Sequence, residues 1–161
     1  MLTIFIQKVS PTEHIFRYQT ETGEGETLTL ESKSFLFHDF IHFAVEMEAG
    51  LAHSFFGLLT QKKDYQSLQM TAEEQSAHQT EWSRTELVVG AMTGALKENT
   101  SYDAVYAGLE NMLGASGVLV PQWFTHAFFD GVTERMHKLT GEWNATPFGQ
   151  IMKLEFTVEH I

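Results

Sequence analysis

The sequence predicts an α+β fold: one antiparallel sheet formed by N-terminal strands and the C-terminal strand, with about five helices packed on one face. Two observations predict it. Residues near both ends alternate apolar and polar with a period of two, while the stretch between them carries helical spacing with helix start and stop signals. A third observation is the composition: 43% hydrophobic and only 19% charged residues suit a chain that builds a packed core. No composition shift, internal repeat or low-complexity tract divides the chain, so residues 1–161 are expected to form a single domain.

Leu2, Ile4 and Ile6 alternate with Thr3, Phe5 and Gln7, and the run from His14 to Gln19 alternates again after a Ser10-Pro11-Thr12-Glu13 turn, which predicts a hairpin. After Gly23-Glu24-Gly25, Thr27 to Leu30 give a short third strand. At the far end Met152, Leu154, Phe156 and Val158 share one side of a strand, and Lys153, Glu155, Thr157 and Glu159 share the other. The first helix is expected from about Ser34–Phe37 to Ala49, with Gly50 suited to the left-handed residue past its end. A short apolar segment from Leu51 to Leu59 and a polar connection from Thr60 to Gln69 follow. Thr71-Ala-Glu-Glu74 has capping-box spacing and predicts a helix from about Ala72 to Leu96. Ser101 to Leu113, closed by Gly114, gives another, and Pro121 opens a last one to about Leu139. Gly141 to Gly149 then links it to the final strand.

Charge and motifs narrow the function classes. Ten Lys and Arg against 21 Asp and Glu leave a net charge of −11, which argues against nucleic acid or an anionic membrane as partner, since phosphate binding rests on clustered basic side chains. The absence of cysteine removes disulfides, thiolate catalysis and Cys-ligated zinc. No segment has the apolar run of a membrane span, and the start Met1 to Lys8 lacks the features of a signal peptide, so a cytoplasmic location is expected. Neither Gly-x-Gly at 23–25 nor Gly114-Ala-Ser-Gly117 sits in a phosphate-loop frame, and no nucleophile elbow is present. His53, in an apolar segment, reads as a core histidine, and His78 with Glu81 reads as an ordinary helix surface.

The strongest chemical signal is the run Phe37-His38-Asp39-Phe40-Ile41-His42-Phe43-Ala44-Val45-Glu46. At about 100° per residue, His38, His42 and Glu46 lie one above another, with Asp39 on the same flank and apolar residues elsewhere. Such a stripe either meets solvent or lines a polar cleft. Two imidazoles one turn apart can grip one divalent ion, with Glu46 as a third ligand or as general base for a bound water and Asp39 as an orienting partner. Zinc, iron, manganese and nickel all suit nitrogen and oxygen donors. The alternative needs no metal: His and Glu at i, i+4 attract each other by about 0.2–0.5 kcal/mol. A second stripe, His126, Asp130, Glu134 and His137, lies on the helix after Pro121. It reads either as a solvated face broken by Arg135 and Lys138 or, were the two helices neighbours, as the source of a further ligand in His126 or His137. A single Glu-x-x-His falls short of the two such helices that di-iron bundles use.

The run His38-Asp39-x-x-His42-Phe43-x-Val45-Glu46, with Gly50-Leu51, Phe55-Phe56-Gly57-Leu58 and Thr146-Pro147-Phe148-Gly149, resembles a family of uncharacterised bacterial proteins of similar size. In that family a strand-rich start also precedes the His-Asp-x-x-His helix. Many of its members carry proline directly before the first histidine, where this chain has Phe37. The resemblance singles out His38, Asp39, His42 and Glu46 as a set and implies no particular activity.

Two functional expectations follow. One is a divalent-metal protein, acting as a metal-dependent hydrolase on an unspecified small molecule. The other is a non-enzymatic domain whose stripe is structural and whose aromatic-rich surface, supplied by 13 Phe, binds a protein partner or its own copy.

Overall fold

A computed structural model describes residues 1–61, 65 and 80–158. Its sheet contains β1 (Leu2–Lys8), β2 (Glu13–Thr20), β3 (Gly25–Glu31) and β4 (Ile151–Phe156), all antiparallel, in the order β3-β2-β1-β4. The chain's two ends therefore lie side by side: Leu2 pairs with Phe156, Ile4 with Leu154 and Ile6 with Met152. Because side chains alternate across a strand, this register puts Leu2, Ile4, Ile6, Phe16, Tyr18, Met152, Leu154 and Phe156 on one face, and all eight are buried. The opposite face carries Phe5, Arg17, Lys153 and Glu155, with the Arg17 guanidinium 3.9 Å from the Phe5 ring centre.

Five helices are present among the described residues: α1 (Ser32–Ala49), α2 (Phe55–Thr60), α3 (Glu81–Glu98), α4 (Tyr102–Gly114) and α5 (His126–Ala145). Helix α1 is central, packing against α2, α3, α5 and the sheet. It therefore buries Leu36 and every residue from Asp39 to Glu46, and the solvent-strip reading of its polar stripe does not hold beyond His38. Gly50 ends it at φ +66°, and its N–H reaches the Glu46 carbonyl. The Glu48 carboxylate joins α1 to α5 through Arg135 (2.6 and 2.9 Å), lying against Gly131 where a side chain would collide with it.

Several boundaries differ from the sequence reading. Pro121 does not open a helix. It starts a turn, with Phe124 N donating to Pro121 O at 3.0 Å, and α5 begins five residues later. Thr125 supplies what proline lacks, a hydroxyl that accepts from Phe128 N at 3.1 Å. That helix also runs through Gly141 to Ala145. A mid-helix glycine costs about 1 kcal/mol against alanine. The continuation brings Trp143 beside His14 and Phe40, with Lys8 Nζ 4.6 Å from its ring centre. Gly114 is the last helical residue of α4, and the left-handed glycine is Gly117. Helix α3 starts at Glu81, where Thr80 caps Ser83 N at 3.0 Å. The capping box at 71–74, His78 and most of the polar connection lie outside the described residues. His53 is exposed, not a core residue.

Candidate metal site

The turn after α1 brings α2 back against it, and one carboxylate holds the two together. Glu46 is fully buried. Its Oε2 accepts the amides of Phe56 (2.8 Å) and Gly57 (3.2 Å) in the first turn of α2, where N–H groups otherwise lack partners. Gly57 lets the turn before α2 pass close to the helix, since a Cβ there would stand 2.4 Å from the Ala52 carbonyl oxygen. Gly57→Ala should lower stability by about 1–3 kcal/mol, read as a reduced urea midpoint at unchanged slope.

Glu46 Oε1 is 3.2 Å from His42 Nδ1, and the other ring nitrogen, Nε2, is 3.0 Å from Glu86 Oε1 on α3. Glu86 is held there because the start of α3 is tied to the turn before α2. Ser54 Oγ meets Thr85 Oγ1 at 2.7 Å, and Glu81 Oε1 accepts His53 N at 2.5 Å. His38, one turn before His42, is half exposed, with ring centres 4.6 Å apart. Its Nδ1 lies 3.8 Å from Asp39 Oδ1. One ligand atom from each of His38, His42 and Glu86 falls within 4.8 Å of the others, so these three residues form a group that can hold a metal ion.

Electrostatics follow from this arrangement. Burial pulls His42 down, but hydrogen bonds and attraction from Glu46 and Glu86 outweigh it and hold its pKa at about 10. Burial pushes Glu46 up, against the pull of His42 and the two α2 amides. Glu86, also pushed up by its partial burial, ends below the ordinary carboxylate value because His42 and then His38 attract it. Without a metal at neutral pH, His42 is protonated and lies between the carboxyl groups of Glu46 and Glu86.

His14 behaves oppositely. Buried beneath α1 with Nδ1 3.0 Å from Ser32 Oγ, it is pulled below its usual value by burial, with Asp39 opposing. Its Nε2 and the buried Asp39 Oδ2 have no hydrogen-bond partner among the described residues. The signs yield a stability profile. His42 binds its proton more tightly when folded, so its contribution is complete below pH 6.5 and is lost as pH rises through about 10. His14 binds its proton less tightly when folded, so its neutral burial favours the fold above pH 6.5 and stability falls as pH drops below that value. The alkaline decline that His42 contributes between pH 6.5 and 10 should therefore flatten in His42→Ala, as read by urea unfolding across pH.

Of the residues singled out from sequence, His38 and His42 come together at the group. Asp39 and Glu46 stand behind them, each beside one histidine's Nδ1. His126 lies outside it. The whole second stripe is exposed; His126 stacks on Tyr102 (4.9 Å between ring centres) and faces Asp130 at 3.7 Å. Helices α1 and α5 are neighbours, but they are joined at Arg135, about 13 Å further along α5. Sequence reasoning missed Glu86. It stands beside the apolar face formed by Val88, Val89, Met92 and Ala95, and no local spacing ties it to a histidine more than 40 residues away. Among the described residues no helix is long and apolar enough to cross a membrane. Comparison with known proteins finds no matching family model, no matching curated protein and no matching solved structure.

Proposed function

We propose that the protein binds one divalent cation through His38, His42 and Glu86 and uses it as a metal-dependent hydrolase. One observation carries the reading: two imidazoles and a carboxylate from separate helices converge, and each imidazole has a further carboxylate beside its Nδ1. A carboxylate on the far nitrogen is the usual device for fixing the tautomer and raising the basicity of a metal-binding histidine. Two histidines and one acid leave room for a further ligand, as catalytic zinc sites do, and the same donors suit iron, manganese or nickel. A cation so held would supply Lewis acidity and lower the pKa of a coordinated water. Glu46 fixes His42, Asp39 faces His38, and the exposure of His38 gives a substrate access.

A second reading is favoured by the hydrogen bonds themselves. Glu46, His42 and Glu86 already satisfy one another, and such a triad can be purely structural, joining α1, α2 and α3. Metal content per chain, measured by inductively coupled plasma mass spectrometry on tag-free protein, separates the two. Near-stoichiometric zinc, iron, manganese or nickel supports the metal site. A clean absence that persists after incubation with each ion overturns it and leaves the structural triad.

A further inference from the structure

An edge strand exposes unpaired backbone donors and acceptors, and among the described residues β4 is an edge of this sheet. A groove of about 310 Å³ runs along this edge between it and α5, lined by Lys138, Leu139 and Glu142 of the helix and Lys153, Leu154 and Glu155 of the strand. The sequence of β4, Ile151-Met-Lys-Leu-Glu-Phe156, complements itself when reversed. In an antiparallel pairing of two copies, directly opposed residues share a face. A two-fold centred on Lys153 sets lysine against lysine, and one centred on Glu155 sets glutamate against glutamate. Centred on Leu154, Lys153 of each copy faces Glu155 of the other on the open face, and Met152 faces Phe156 on the helix side. Ile151, 52% exposed, then lies opposite Thr157.

Charge selects this edge over the other. A net charge of −11 makes two copies repel, so self-association needs a patch where opposite charges match. The β3 edge offers only acids: Glu26, already engaged by the Tyr18 hydroxyl and the Tyr65 amide, and Glu31. Lys153 and Glu155 sit 3.2 Å apart along β4, both more than half exposed, ready to exchange this pairing within the strand for two pairings across it.

We propose that the protein binds a second copy of itself through β4, in the register centred on Leu154, joining two four-stranded sheets into one. Sedimentation velocity over a concentration series tests it. The wild type should show a monomer–dimer equilibrium that weakens with salt. Lys153→Glu and Glu155→Lys should each raise the dissociation constant by about tenfold or more, by setting like charges opposite each other. The double variant Lys153→Glu/Glu155→Lys restores the pairing with signs exchanged and should dimerise like the wild type. Circular dichroism melts keep the comparison to folded protein. A monomer at every concentration, a dimer indifferent to the single reversals, or a double variant that stays monomeric would each overturn the proposal.

Discussion

Glu46→Ala should lower the folding stability of the metal-free protein by about 3–5 kcal/mol at neutral pH, the range for removing one partner of a buried ion pair. The substitution deletes a fully buried carboxylate that does two jobs at once. It leaves the His42 imidazolium with Glu86 alone, and it strips the Phe56 and Gly57 amides of their acceptor in the interior. Each buried donor without a partner costs about 1–3 kcal/mol, so the amides alone account for much of the effect. Glu46→Gln separates the two roles. Its carbonyl can still accept from α2, so it should retain the larger part of the stability while losing one of the two acidic partners that hold His42 protonated. Urea unfolding at pH 7 reads both. A Glu46→Ala loss below about 1 kcal/mol would mean that α2 and His42 find other partners, and that the carboxylate does not join the two helices.

The strands were legible because each has one wet face, so the period of two stands out. Lys153 and Glu155 alternating with Met152, Leu154 and Phe156 fix both the strand and its burial. Helix limits were less legible, because they depend on groups that a scan for periodicity does not weigh. Pro121 and Thr125 are both plausible starts for α5, and a hydroxyl able to accept from Phe128 N decides between them. Gly141 looks like a stop, yet Trp143 two residues on has a place beside Phe40 and Lys8, and packing outweighs the local preference.

Half of the site could be read because α1 carries it. Spacing on one helix places His38, His42, Asp39 and Glu46 relative to one another, and those relations hold. Which of them face a neighbour across the fold is set by tertiary packing. The turn from Leu51 to Ser54 folds α2 onto Glu46 and draws that carboxylate inward. The Ser54–Thr85 contact sets the register of α3 and brings Glu86 to the face of His42 that Glu46 leaves free. No pattern within α3 announces this.

The structure also changes which substitutions test the metal. His42 is buried between two carboxylates, so His42→Ala removes a ligand and an ion-pair partner together and confounds metal uptake with folding. His38 is half exposed, and its Nδ1 lies 3.8 Å from Asp39 Oδ1 with no buried ion pair to lose. His38→Ala should leave the metal-free unfolding midpoint nearly unchanged and weaken divalent-metal affinity by about 100-fold or more, at or beyond the upper end for removing a residue that merely orients a ligand. Glu86→Gln should weaken it comparably, and Glu46→Gln by about 10–100-fold, since the ligand stays and only its orientation is lost. Titration calorimetry with zinc checks the order. The charge on His42 adds a signature that a loosely attached surface ion lacks. Metal must displace the Nε2 proton held by Glu86, so uptake at pH 7 should release about one proton, and affinity should rise roughly tenfold per pH unit towards the His42 pKa of about 10. Binding with no proton release, or with equal affinity in His38→Ala and wild type, would place the ion elsewhere and leave Glu46, His42 and Glu86 as a structural triad.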